Sequence, residues 1–202
     1  MAETPTIGID YSLSCPAMCI MTAPNIANCA FYFLTVHKRM VGTVDRYVGY
    51  EHKEYYTEQE RYDNIAEFFL NKIPIHPKPP NIFIEDYSFG SKGRVFHIAE
   101  NTGLLKYKLW EVGLKFETIP PTVIKKFAYG KGNADKQKMY DAFVEETGVK
   151  LIPTFSKTGK LDSPVTDIVD SYYIAKYGYH LTHSPILGEQ DADHKHKKLK
   201  AR

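Results

Sequence analysis

The sequence predicts an α/β fold, a mixed five-stranded sheet with helices on both faces. Three observations predict it. Three apolar segments of strand length come first with short links, the mark of an antiparallel meander. Strand-like and helix-like segments then alternate, as they do in sheets whose later strands are joined through helices. Several helix-like segments also carry end signals, so their periods can be read with boundaries.

Thr6 to Tyr11 (TIGIDY) reads as a short buried strand. Ala17 to Ala23 (AMCIMTA) and Cys29 to Val36 (CAFYFLTV) read as two more, parted by the turn-like PNIAN. The stretch Val41 to Tyr50 fits either an extension of the sheet or a surface loop. Thr57 and Glu60 fit a capping box, and Tyr62, Ile65, Ala66, Phe69 and Leu70 follow at helical spacing. The proline-rich Pro74 to Pro80 ends that helix. Asn81 to Asp86 (NIFIED) is a strand with acids at its C-terminal end, and Gly90 to Gly93 is a loop. Val95 to Val112 reads as a long helix with Ile98, Leu105, Leu109 and Val112 on one side, and Phe116 to Ile119 is the fifth strand. Asn133 to Thr147 is a helix stopped by Gly148. Ser163 suits an N-cap with Pro164 at the first helical position, opening a last helix to about Tyr179. Residues 185–202, ending HKHKKLKAR, read as a disordered basic tail, which leaves residues 1–184 as one domain. The order is β-β-β-α-β-α-β-α-α.

Apolar residues make up 43% of the 202 and charged residues 25%, a globular composition. No apolar run approaches the roughly 18 residues of a membrane span. Met1 to Pro5 shows no basic region followed by an apolar stretch, so no signal peptide is expected. Cys15, Cys19 and Cys29 are odd in number and lie in apolar surroundings. That suits buried reduced thiols of a cytoplasmic protein better than a zinc site, which wants paired spacing and a fourth ligand. The net charge of +2 does not by itself announce nucleic acid. Lys92, Arg94, Lys125, Lys126, Lys131, Lys136 and Lys138 crowd the middle third, however. They matter only where they surround a site.

The candidate site rests on acids. Asp10 ends an apolar strand, where a carboxylate is costly unless paired or holding a cation. Glu85 and Asp86 end another. Neighbouring strand residues face opposite ways, so one of the two can share a face with Asp10, and alternation leaves open which. Asp167 and Asp170 are three apart on a helix, about 5–6 Å between Cβ atoms. They also suit a helix N-terminus, where acids complement the dipole. Four such carboxylates brought together would repel unless divalent cations neutralised them. An oxygen-rich set of this kind suits magnesium, with manganese as a substitute, and paired ions of that type drive phosphodiester hydrolysis. The glycine-rich segment Gly130-Lys131-Gly132-Asn133 is not a nucleotide-binding P-loop, because no Gly-Lys-Ser/Thr follows at the required spacing.

Taken in order, Ile7-Gly8-Ile9-Asp10, then Ile84-Glu85, then Thr166 to Ala175 (TDIVDSYYIA) resemble the RuvC-type Holliday junction resolvases of the ribonuclease H-like superfamily. The segment Pro121 to Phe127, with Gly132 to Gln137, is similar to that family's basic stretch, glycine loop and helix-opening lysine. The resemblance spans roughly residues 6–180. It implies a ribonuclease H-like fold and a metal-dependent endonuclease that cuts four-way junctions and other branched DNA, leaving a 5′-phosphate and a 3′-hydroxyl. Asp10, Glu85, Asp167 and Asp170 would be metal ligands, with Lys136 near the scissile phosphate. It also implies a homodimer joined through the Val95–Val112 helix, and a cytoplasmic location, that of the host for a viral member.

Ser88 stands where bacterial members carry an aromatic, with Tyr87 and Phe89 on either side. An aromatic there would wedge into the junction centre, flanked by Lys92 and Arg94 on phosphates. Lys125, Lys126 and Lys131 are further expected DNA contacts. Residues 38–56 and 185–202 match nothing in the family. Three other functions compete: a related nuclease acting on RNA, a non-catalytic DNA-binding protein of the same fold, and an actin-like ATP-binding domain. The last wants a duplicated domain and glycine-rich phosphate loops that this sequence lacks.

Overall fold

The computed structural model describes residues 4–75, 78–86 and 95–183. Its centre is a mixed sheet of seven strands in the order β4-β5-β3-β2-β1-β6-β7. The meander is β1 (Thr6–Asp10), β2 (Ala17–Met21) and β3 (Cys29–Thr35), paired antiparallel in turn. Strands β6 (Asn81–Glu85) and β7 (Phe116–Ile119) then add in parallel on the far side of β1. The five-strand expectation is therefore corrected to seven. The ambiguous segment Val41 to Tyr50 forms β4 (Gly42–Val44) and β5 (Tyr47–Glu51), and β5 lies parallel to β3. Tyr47 and Gly49 turn to the core and Thr43 and Val44 to solvent. A fully exposed edge strand carries little hydrophobic signal, which is why its pattern read either way.

Each face of the sheet has its own apolar layer. Ile7, Ile9, Ile82 and Ile84 face α1 (Glu58–Leu70) and α2 (Val95–Glu111). Cys19, Phe31, Phe33 and Phe83 face the other layer, centred on α6 (Val165–His183), with α3 (Pro121–Tyr129) and α4 (Lys136–Thr147) packed against it. A one-turn helix, α5 (Ile152–Phe155), closes that layer near β3 and β5 through Phe155. Helix α6 is buried on nearly all sides, as a helix covered by both sheet and helices must be.

Several boundaries follow local chemistry that periodicity alone does not reveal. Thr57 caps α1 by accepting from the Glu60 N–H at 3.1 Å. The return bond of the box is shifted by one residue, the Tyr56 N–H donating to Glu60 at 2.8 Å. Helix α3 is absent from the expected order, although it has Pro121 in its first turn and the left-handed Gly130 just past its end. Helix α4 starts at Lys136 rather than Asn133, because Asp135 is the cap and accepts from the Lys138 N–H. Pro164 is not the first helical residue. Its carbonyl accepts the Ile168 N–H at 2.9 Å, which puts it at the cap and Val165 first in the helix. Val112 lies beyond the end of α2 and is exposed, not on the buried side.

All three cysteines are buried and free. Among the described residues no helix is long and apolar enough to cross a membrane. The expected basic tail, with residues 185–202, lies outside the described residues.

Candidate active site

Register decides which acids meet. Strands β1 and β6 pair in parallel with Gly8 opposite Phe83 and Ile9 opposite Ile84. The isoleucines of both strands fill the α1–α2 layer, so Gly8 and Asp10, with Phe83 and Glu85, face α6. Glu85 rather than Asp86 thus shares a face and a level with Asp10. Asp86 follows the end of the strand, its N–H bonded to the Ile119 carbonyl.

Glycine lets α6 come close. A Cβ on Gly8 would lie 2.2 Å from the Ala175 nitrogen and 2.4 Å from the Ser171 carbonyl oxygen. The helix backbone therefore rests directly on β1. Two residues further along the strand stands Asp10, and one turn back along the helix stand Asp167 and Asp170. A second glycine, Gly178, makes room for the Phe83 ring, whose nearest atom would sit 2.1 Å from a Cβ there. These two contacts fix the height of α6 over β1 and β6 at both ends.

The four acids share one field. Burial raises the Asp10 carboxyl well above the usual range, and Asp167, Glu85 and Asp170 push it further, with Lys136 opposing. Burial first, then Asp170, moves Glu85 up to about 7, against the pull of Lys125. Asp170 also rises to about 7, through burial and then Asp167, with Lys136 and Lys125 opposing. Asp167 is 8% exposed and is raised by burial, although the Ser163 hydroxyl, Lys136 and the Thr166 hydroxyl hold it lower. Among the described residues, no three His, Cys, Asp or Glu side chains already converge on a single point suited to an ion. The acids are close enough to feel one another's charge without closing a cage.

Of the cations expected from the sequence, Lys136 and Lys125 reach this field, from the start of α4 and the middle of α3. Both line a cleft of about 180 Å³ together with Glu85, Asp170, Thr166 and Tyr140. Lys126 is exposed on the next position of α3, and Lys131 is exposed in the α3–α4 link; neither lines the cleft. Tyr87, Phe89, Lys92 and Arg94, along with Ser88, lie outside the described residues.

Two residues escaped the sequence reading. The Cys15 thiol is buried beside Asp167 and Asp10, and burial first, then those two charges, raise it strongly. Ser163, expected to cap a helix, instead lies near enough to the Asp167 carboxyl to lower it, and Thr166 donates to the same group at 3.3 Å. The adjacent placement of Ser163 and Thr166 to Asp167 was a usable signal. Cys15 offered none, because it reaches the site only through the β1–β2 link.

By sequence, no protein-family model and no curated protein matches the chain. By structure it is similar to Thermus thermophilus RuvC, at 16% identity over 89% of this chain and 95% of that one, with a TM-score of 0.56. It is likewise similar to T. thermophilus RuvC in complex with Holliday junction substrate, at 14% identity over 86% of this chain and 92% of that one, with a TM-score of 0.57. The fold is therefore the α/β, ribonuclease H-like fold of RuvC, here with a seven-stranded sheet.

Proposed function

We propose that the chain is a divalent-metal-dependent endonuclease that cuts branched DNA, four-way junctions among them. One observation carries the reading. Four carboxylates from β1, β6 and α6 are buried together, burial raising all four pKa values and neighbouring acids raising those of Asp10, Glu85 and Asp170 further, beside two lysines and an open cleft. A set of acids so arranged is a poor structural feature and a good cation site. The shared fold supports the choice of substrate, since one RuvC of that fold is in complex with a Holliday junction.

Asp10, Glu85, Asp167 and Asp170 would hold magnesium or manganese. The fit is chemical: all four donors are oxygens, and the site is not closed into a cage. That suits an ion that completes its shell with water and substrate phosphate. Bound there, the ion supplies charge neutralisation and Lewis-acid chemistry at phosphorus. The chain's own residues do the rest. Lys136 and Lys125 attract and orient the phosphodiester in the cleft and offset carboxylate repulsion. Thr166 donates to Asp167, and Ser163 and Cys15 stand beside it, which helps to fix its direction. The α6 backbone, seated on Gly8, holds the helix acids at a set distance from the strand acids.

Two-fold cutting needs two sites. Helix α2 presents Phe96, Tyr107 and Trp110 to solvent at 79%, 54% and 70% exposure. Phe96, Gly103 and Trp110 follow one another by sevens along one stripe, and nothing lies within 4 Å of a Cβ at Gly103. Exposed aromatics around a small residue suit a self-complementary dimer face, which matches the symmetry of a four-way junction. The test is a gel assay of the purified chain on synthetic four-way junction, linear duplex and RNA, with and without magnesium. Magnesium-dependent nicking of the junction in preference to duplex and RNA is expected. Cutting that persists in a chelator, or falls on RNA alone, would refute the proposal.

A further inference from the structure

We propose that a second cleft, on the extra β4–β5 edge, holds the phosphate backbone of a duplex arm leaving the active site. The inference rests on the branched-DNA reading and extends it to residues that reading does not use. The cleft has a volume of about 410 Å³ and runs between residues 39–44 and residues 153–157. Arg39 and Lys157 line it, and no Asp or Glu does. Lys38 and Lys160 are exposed close by in sequence. Among the described residues none of these four cations is in an ion pair. Two unpaired cations lining an acid-free cleft, with two more close by in sequence, complement a polyanion.

The shoulder is built rather than loose. Gly49 lacks a side chain where the Met40 carbonyl oxygen would lie 2.0 Å from a Cβ, so the turn after β3 presses flat across β5. Met40 is buried in the α6-side core, and Thr35 Oγ1 receives the His37 N–H at 3.1 Å. Arg39 is thus carried on an anchored turn. Phe155, packed on Phe33 and Tyr47, anchors the segment that bears Lys157.

Register aligns this shoulder with the acids. Asp10 pairs with Ala17, Ala17 with Phe33, Phe33 with Gly49, and Gly49 with Gly42. The cleft therefore stands in the same cross-strand row as Asp10, on the same face of the sheet, four strand spacings away. That is about 19 Å. A duplex rises about 3.4 Å per base pair, so an arm running along the row would bring the phosphates about five to seven nucleotides from the cut over Arg39 and Lys157.

The experiment uses the full chain and a four-way junction in a chelator, with affinity read by fluorescence anisotropy. A second junction carries uncharged methylphosphonate linkages about five to seven nucleotides from the cut. Wild type should bind the neutralised junction more weakly than the charged one. Arg39→Ala/Lys157→Ala should bind both alike, at the weaker level. Its log–log salt slope should be shallower by about 1.8, so that between roughly 50 and 200 mM salt wild type loses about twelve-fold more affinity than the variant. Arg39→Lys/Lys157→Arg should behave as wild type, and cleavage at saturating junction should be unchanged in all three proteins. A variant weakened by the same factor on both junctions would overturn the proposal. So would a variant indistinguishable from wild type, which would leave the exposed β4 edge to strand addition by a protein partner. A wild-type chain that binds junction no better than it binds linear duplex would overturn the branched-DNA reading itself, and this inference with it.

Discussion

Replacing Asp170 with Asn should make the metal-free protein more stable, by an amount that grows with pH. In the fold the Asp170 carboxyl moves from an ordinary 3.8 up to about 7, first through burial and then through Asp167. A carboxyl raised in the folded state favours folding while it is protonated. That contribution is fully present below about pH 4 and is lost as the pH climbs to about 7. About three pKa units at 1.36 kcal/mol each set a ceiling near 4 kcal/mol. Asn still has to be partly buried, and the field is shared among four acids, so about 2 kcal/mol is the expected net gain at pH 8. For a chain of this size that is a Tm increase of about 4–8 °C. Thermal melts in a chelator at pH 5 and pH 8 test it. Asp170→Asn should melt near wild type at the lower pH and clearly above it at the higher. Millimolar magnesium at pH 8 should raise wild type toward the variant, because an ion that binds only the folded state stabilises it. An Asp170→Asn protein that melts below wild type at pH 8, or a difference independent of pH, would show that Asp170 is a structural acid.

Asp10→Asn should reduce junction cleavage by about a hundred-fold or more while leaving junction affinity within a few-fold; wild-type cleavage rates would remove Asp10 from the site. Gly8→Ala forces a Cβ against the α6 backbone at 2.2 Å and should cost about 3 kcal/mol, read as a Tm lower by about 6–12 °C. A Tm within a degree of wild type would mean that α6 is not seated on that glycine. Cys15→Ala removes a buried side chain packed beside Asp167 and should slow cleavage several-fold at saturating junction with little change in affinity, with partial recovery in Cys15→Ser; a pure affinity loss would argue against a positioning role. Trp110→Glu should convert a dimer into a monomer in analytical ultracentrifugation. A wild-type chain that is already monomeric would refute the α2 face.

Much of this was already written along the chain. Ile7-Gly8-Ile9-Asp10 and Ile82-Phe83-Ile84-Glu85 each show an apolar run closed by an acid. The helix around Asp167 and Asp170 announces itself by spacing. Such features depend on residues within a few positions of one another, and local sterics, caps and periodicity determine them. What local order could not settle was anything that depends on pairing between distant segments. Glu85 and Asp86 are equivalent until β6 takes its register against β1, at which point the isoleucines commit to the α1–α2 layer and Glu85 turns to α6. Lys125 became a neighbour of the acids, and Lys126 did not, only when α3 packed with one side toward the cleft. Cys15 met Asp167 across more than 150 residues of chain. The β4–β5 edge read equally as sheet or loop because one of its strands faces water on both sides, and only pairing with β3 made it sheet. The acids themselves could be read in advance because a carboxylate at the end of a buried strand is costly wherever the chain goes. Their company was decided by register and by two glycines, through close packing that no single segment contains.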